Sequence, residues 1–230
     1  MNIAIIPARG GSKRIPRKNI KDFCGKPIIG YSIEAAINSG CFERVIVSTD
    51  DVEIANVAIR YGAEVPQLRS ASNSNDHATI VDVVEEVLAN LKENDNVEPK
   101  YICCIFATAP FVTGDRIFRS FNKMIDCGKK GIFPIVEYSY PIQRSLEIKS
   151  DQTVGMVWPE HLLSRSQDLP ARYHDSGQYY WAKVTNVLSE KTLFINSCMS
   201  EPISALNAQD IDVMDDWKLA ELKYKAFQCL

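Results

Sequence analysis

Long apolar runs are missing from this 230-residue sequence. None approaches the roughly 18–20 residues a helix needs to cross a bilayer, so no membrane partner is expected. The opening, Met-Asn-Ile-Ala-Ile-Ile-Pro-Ala-Arg, has no basic region ahead of its short apolar stretch, which reads as cytoplasmic with no secretory leader. Paired cysteines are missing as well. The seven cysteines (Cys24, Cys41, Cys103, Cys104, Cys127, Cys198 and Cys229) form an odd set without a C-x-x-C pair or a cysteine–histidine spacing suited to zinc, so buried, reduced thiols are expected. No G-x-G-x-x-G follows the first apolar run, and Gly25-Lys26 continues into Pro27 where a Walker loop would have serine or threonine. There is no internal repeat and no low-complexity tract. What remains, at 46% hydrophobic and 24% charged residues, is an ordinary globular composition able to bury a core, expected as one domain over residues 1–230.

Charge is unevenly distributed. The formal net charge of −3 hides seven basic residues and one acidic residue in positions 1–26, a local +6 against −9 for the remainder. A basic island on an acidic body suits a compact polyanion such as a nucleoside triphosphate better than long nucleic acid. Against RNA, these cations crowd one glycine-bearing loop instead of alternating with aromatics.

Periodicity gives the order of elements. Asn2–Pro7 reads as a buried parallel strand, followed by a helix through Ile28, Ile29, Ser32, Ile33, Ala36 and Ile37. A strand over Arg44–Ser48, a helix over Val52–Tyr61 and a short strand over Glu64–Leu68 come next. Helix Ile80–Leu91, strand Tyr101–Phe106, a helix through Ile117, Phe118, Phe121, Met124 and Ile125, and strand Gly131–Val136 continue the alternation. The expected fold is α/β, a Rossmann-like mainly parallel sheet with helices on both faces, which gathers ligands at the carboxyl ends of its strands. The rhythm breaks over about 137–171, with Pro141, Pro159 and Pro170, and this segment reads as an inserted lid or dimerisation arm. A terminal helix carries Trp217, Ala220, Tyr224 and Phe227 on one stripe.

The chemistry concentrates in Arg9-Gly-Gly-Ser-Lys-Arg-Ile-Pro-Arg-Lys-Asn19, directly after the first strand. Gly10 and Gly11 permit positive φ and close approach of backbone N–H groups to an anion, while Arg9, Ser12, Lys13 and Lys18 offer charge-assisted hydrogen bonds. Five cations in ten residues repel one another unless an anion joins them.

The run Ile-Ile-Pro-Ala-Arg-Gly-Gly-Ser-Lys-Arg-Ile-Pro-Arg-Lys-Asn-Ile resembles the amino-terminal signature of the sialic-acid-type cytidylyltransferases, which transfer CMP from CTP to a nine-carbon keto-sugar acid. Val47-Ser-Thr-Asp-Asp51, Ala107-Thr-Ala-Pro-Phe111 and the carboxylates near Asp210 extend the likeness over nearly the whole chain. Phe106-Ala-Thr-Ala-Pro-Phe111, Pro141-Ile-Gln-Arg144, Arg165-Ser-Gln-Asp-Leu-Pro170 and His174-Asp-Ser-Gly-Gln-Tyr-Tyr-Trp181 resemble the members that activate pseudaminic acid. Neuraminate-activating relatives have glutamine where this chain has Phe106, which argues against neuraminate as acceptor.

The resemblance implies the nucleotide-diphospho-sugar transferase type of fold, a homodimer with the 137–171 arm reaching across, and Mg2+ as cofactor. It implies CTP contacts from Arg9, Gly10, Gly11, Ser12, Lys13, Lys18, Asn19 and Arg69, with Arg9, Lys13 and Lys18 stabilising the charge that develops during transfer. Asn19 and Arg69 would meet the cytidine, although Ser70 stands where relatives have proline. Asp210 and Asp212, at i and i+2, point to one face of an extended stretch and would hold the metal, leaving Asp215 and Asp216 to the first turn of the terminal helix. Asp51 is expected to cap the helix that follows it, and Asp50 has no assigned role. The sugar acid would meet cations, amides and aromatic faces from Phe106, Arg144, Arg165, Gln167, His174, Gln178, Tyr179, Tyr180 and Trp181, with alternate residues of 178–181 facing the core if that stretch is a strand. Two alternatives remain at this point: another keto-sugar acid as acceptor (neuraminic, legionaminic or 3-deoxy-octulosonic), or a non-catalytic nucleotide- or RNA-binding protein.

Overall fold

The computed structural model describes the chain through Gln228 and its side chains through Ala226, so Cys229 and the side chain of Phe227 lie outside the described residues. Strand β1 (Asn2–Pro7) is buried on both faces, which is why its six residues are an almost unbroken apolar run. A two-residue hairpin, β2 (Asp22–Phe23) and β3 (Lys26–Pro27), turns through Cys24 and Gly25, both at positive φ, and leads into α1 (Ile28–Asn38). Then come β4 (Arg44–Ser48), α2 (Val52–Arg60), α3 (Ile80–Asp95), β5 (Tyr101–Ile105), α4 (Gly114–Asp126) and β6 (Gly131–Glu137). The Thr79–Asp82 capping box starts α3, each side chain accepting from the other residue's backbone N–H.

The large sheet has the order β11-β6-β10-β5-β1-β4, with β9 (Tyr173–Asp175) also paired to β6. Strands β4, β1 and β5 are mutually parallel, and β11 (Cys198–Ile203) is parallel to β6; β10 (Tyr179–Lys183) runs antiparallel to both β5 and β6. This is the mainly parallel α/β architecture that the periodicity implied. Helices α1, α2 and α4 cover one face through Ile33, Val57 and Met124; α3 and α5 (Val184–Glu190) cover the other through Val84, Leu88 and Val187.

One expected strand is absent. From Glu64 to Leu68 only Glu64 pairs, by a single parallel bridge to Ile46, because Pro66 has no N–H to continue the ladder. Between β6 and β9 the chain leaves the sheet and forms a small antiparallel hairpin, β7 (Leu146–Ile148) with β8 (Val154–Met156), and short helical turns. The described cysteines are free thiols; Cys103 and Cys104 are fully buried, whereas Cys127 is exposed, against the expectation of a uniformly buried set.

The terminal helix α6 (Met214–Gln228) packs on the β2–β3 hairpin. Trp217 meets Phe23 edge-on at 5.5 Å, and Tyr224 meets Phe23 and Tyr31 in the same manner. This third cluster also contains Ile15, from the middle of the basic loop, and Ile211, from between the two acidic residues; each is 1% exposed.

Candidate active site

The loops leaving the carboxyl ends of β1, β4 and β5 converge, as expected for an open parallel sheet. They frame a cavity of about 550 Å3, within the range of small-molecule sites. Arg9, Ser12, Lys13, Arg14, Lys18 and Asn19 line one side, Arg69 and the 73–83 segment another, Phe106–Thr108 the base, and Asp210 with Asp212 close it.

The juxtaposition of basic loop and acidic pair has an apolar cause. Ile15 and Ile211 are buried in one cluster, so alternation along 210–212 turns Ile211 inward and both carboxylates toward the cations. Lys18 Nζ donates to the Ile211 carbonyl at 2.6 Å and lies 3.8 Å from Asp212, and Arg14 pairs with Asp212 at 2.7 Å. Burial pulls Lys18 below the usual lysine range, although Asp212 and Asp210 oppose the shift. Burial, reinforced by Asp212, pushes the Asp210 carboxyl above the usual carboxylate range. Two facing carboxylates of this kind supply the hard oxygen donors that a divalent cation takes. No group of three or more His, Cys, Asp or Glu able to hold a metal occurs among the described residues, so substrate or water oxygens would complete any such coordination.

On the opposite wall, Asp76 accepts from Arg9 Nη1 at 2.9 Å and Lys13 Nζ at 2.5 Å, and these contacts hold its carboxyl below the usual range. Asn19 is buried and donates to the Arg9 carbonyl at 2.9 Å, which fixes the loop's entry. Arg69 is buried against β4, its Nε donating to Ser48 Oγ at 2.9 Å. Ser70, the departure from the family pattern noted in the sequence, donates its backbone N–H to Glu86 Oε1 at 2.7 Å, a bond proline cannot make.

The glycines work differently from expectation. Neither Gly10 nor Gly11 has positive φ, and neither lines the cavity. The Gly10 N–H donates to Asp50 Oδ1 at 2.8 Å, so that amide is committed within the protein and Asp50 acquires a role as a loop anchor. Glycine is required at position 10 because a Cβ would stand 2.7 Å from Asp51 Oδ2. Asp51 caps α2 by accepting from the Ile54 N–H at 3.0 Å, as expected, and it also pairs with Arg17, itself at φ 57° in the left-handed region.

The expected sugar-binding residues disperse. Phe106 lines the main cavity, while His174 lines an adjoining cavity of about 360 Å3 that shares Asp210 with it. Gln167 lies in a separate cleft of the arm, and Arg144 is in the arm with Nη1 3.5 Å from Ser166 Oγ; neither Arg144 nor Arg165 lines the cavities that meet at Asp210. Gln178 is buried as a brace, donating to the Asn207 carbonyl at 2.5 Å. Tyr179 is a correction: it is fully buried on the α4 face, with its hydroxyl 2.7 Å from Ser120 Oγ. Alternation along β10 sends Tyr180 to the opposite face, where it is buried in the cluster beneath α3 and its hydroxyl donates to Asp175 Oδ1 at 2.7 Å. Sequence reasoning missed Arg14, Asn73, Asn75, Asp76 and Thr108 as lining residues. The Asn- and Ser-rich approach to α3 reads as ordinary turn chemistry, and only its position between Arg69 and a capping box distinguishes it.

The chain is similar to several known proteins. Residues 3–209 match the cytidylyltransferase family. A pseudaminic acid cytidylyltransferase of Campylobacter jejuni is 41% identical over 97% of this chain and 96% of its own length. The CMP-N,N'-diacetyllegionaminic acid synthase of Legionella pneumophila is 32% identical over 95% of this chain and 94% of its own. Among solved structures, a CMP:2-keto-3-deoxy-manno-octonic acid synthetase complexed with CTP shares the fold at a TM-score of 0.68, with 19% identity, covering 100% of this chain and 99% of that one. The chain belongs to the cytidylyltransferase family.

Proposed function

We propose that the protein transfers CMP from CTP to the anomeric hydroxyl of pseudaminic acid, a nine-carbon sialic-acid-like sugar, and releases pyrophosphate. The observation that carries this reading is the opposition of Arg9, Lys13, Arg14 and Lys18 to Asp210 and Asp212 across one cavity. In phosphoryl-type transfer a protein chiefly positions reactants and offsets charge, so no covalent enzyme nucleophile is required. Arg9, Ser12, Lys13 and Lys18 bind the triphosphate and stabilise charge developing on the leaving pyrophosphate. Asn19 and Arg69 hold the nucleoside, and Phe106 presents an aromatic face to the acceptor. Asp210 and Asp212 would hold Mg2+, which when bound neutralises triphosphate charge.

Identity of 41% to a pseudaminic acid cytidylyltransferase favours pseudaminic acid over other acceptors. The arm exposes Leu146, Ile148, Val154, Leu162 and Leu163 together, and we assign this apolar surface to a second copy of the chain. No helix among the described residues is long and apolar enough to cross a membrane, and the reaction is assigned to the cytoplasm.

Mass analysis of products from CTP with pseudaminic, legionaminic, neuraminic and 3-deoxy-octulosonic acids, beside CTP alone, tests the acceptor. Fastest CMP transfer to pseudaminic acid is expected; preference for another acid would replace that assignment, and no transfer to any would overturn the reading. Lys13→Ala and Asp212→Ala should each slow transfer more than about tenfold in a folded protein, because charge-assisted contacts are worth roughly 1.5–3 kcal/mol. A wild-type rate in either variant would remove that residue from the site. Light scattering should give a dimer, and a monomer would reject the assignment of the arm.

A further inference from the structure

The adjoining cavity is lined by His174, Asp175, Ser176, Gly177, Gln209, Asp210 and Lys223, and Asp210 alone among these belongs to both cavities. Three features there lack an account in the nucleotide chemistry. Lys223, half-buried on α6, has no carboxylate within ion-pair distance among the described residues. Its ammonium instead donates to the Ala205 and Ala208 carbonyls, both at 3.0 Å, and to Gln209 Oε1 at 2.9 Å. Ser176 Oγ is buried without any hydrogen-bond partner, the residue being 3% exposed. His174 has its Nδ1 2.7 Å from the Asp175 carbonyl, which ties one side of the ring to the chain and leaves Nε2 for another partner.

A half-buried cation served only by neutral oxygens, beside an orphaned hydroxyl, is a site built for an anionic ligand with hydroxyl groups. We infer that this cavity binds the acceptor sugar through its C1 carboxylate, with Lys223 as the cation that pairs it and Ser176 and His174 as hydrogen-bond partners.

The inference rests on the proposed reading and makes it specific. In an α-keto sugar acid the carboxylate is bonded to the anomeric carbon, so it must lie beside the reacting hydroxyl and the α-phosphate. A cavity that meets the triphosphate cavity at Asp210 is where such a group can sit. Gln209 is the replaceable partner. Its carboxamide oxygen is the one Lys223 acceptor carried on a rotatable side chain, so a substrate oxygen can take its place while the two backbone carbonyls still hold the lysine. Burial lowers the Lys223 ammonium from the usual lysine range, as expected of a cation awaiting its counter-charge.

The test compares the sugar acid with its C1 carboxamide in the full-length protein, measuring KM, or Ki where the amide is not turned over. Wild-type protein should prefer the acid at least about tenfold. Lys223→Gln should reduce that preference to near unity by weakening the acid alone, with the KM for CTP and the thermal midpoint close to wild type. Lys223→Arg should restore part of the preference, and Ser176→Ala should weaken acid and amide alike. If Lys223→Gln weakens acid and amide equally, or raises the KM for CTP as much, the lysine is only a brace between α6 and the 205–209 turn, and the inference fails while the proposed function stands. If wild-type protein transfers CMP to no sugar acid, both fall together.

Discussion

Ile211→Ala removes the apolar pin between the two charged walls without touching a charge. Ile211 is 1% exposed and shares its cluster with Ile15, Phe23 and Trp217. Truncating a buried isoleucine costs ~2–5 kcal/mol. The 208–213 stretch has no regular secondary structure and can partly close the cavity left behind, which places the expected loss at ~2–3 kcal/mol. At about 2–4 °C per kcal/mol for a chain of this size, the thermal midpoint should fall by about 4–12 °C. The functional effect should exceed that of an equal loss elsewhere. With Ile211 gone, Asp210, Asp212 and the carbonyl that accepts from Lys18 are no longer held in register with the basic loop, so the KM for CTP should rise at least about fivefold. Leu91→Ala, in the cluster beneath α3, is the control: it should lower the midpoint comparably and leave the KM for CTP within about twofold. Thermal melts and initial rates at saturating acceptor read both quantities. If Ile211→Ala and Leu91→Ala shift KM equally, the packing of Ile15 against Ile211 does not organise the site.

Other expectations follow from single contacts. The Arg17 guanidinium, opposed by partial burial and aided by the Ile54 N–H, holds the Asp51 carboxyl down to about 2 from its usual 3.8. A depressed folded-state pKa stabilises above the unfolded value and loses that contribution as pH falls through the folded one. Asp51→Asn should therefore cost ~1–2 kcal/mol at pH 7, after discounting for partial exposure, and the difference from wild type should vanish as pH falls from about 4 to about 2 in denaturant titrations. A pH-independent difference would refute the ion-pair origin. Tyr179→Phe should cost ~1 kcal/mol of stability through the lost hydroxyl contact to Ser120, with KM for both substrates unchanged. A selective rise in the KM for the sugar acid would return Tyr179 to the acceptor pocket.

The sequence made the parallel half of the fold legible because β1, β4 and β5 are buried on both faces and α1 to α4 carry clear apolar stripes. Strands β9 and β11 are less visible: β9 is three residues long, and β11 reads Cys-Met-Ser-Glu-Pro-Ile, an edge strand with a proline and mixed polarity. The basic loop and the acidic pair stood out by charge density and spacing. Their meeting was implied by the family resemblance and not by the residues themselves, and its physical cause, Ile15 and Ile211 entering the same cluster across nearly the whole chain length, is visible only in the structure. Gly10 misled for a physical reason, its requirement being steric clearance from Asp51 and not left-handed backbone. Tyr179 and Tyr180 are adjacent residues of one strand and both are buried, one in the cluster under α4 and the other in the cluster under α3, and the sequence alone does not say which takes which face. Lys223 gave no signal on a helix with charged residues all along it.

Diffraction from crystals soaked with CTP and Mn2+ would examine the meeting of the two walls directly. The expected map places the phosphates between Lys13, Lys18 and Arg9 on one side and an anomalous manganese peak within reach of both Asp210 and Asp212 on the other. A nucleotide bound elsewhere, or a manganese peak remote from those two carboxylates, would contradict the account.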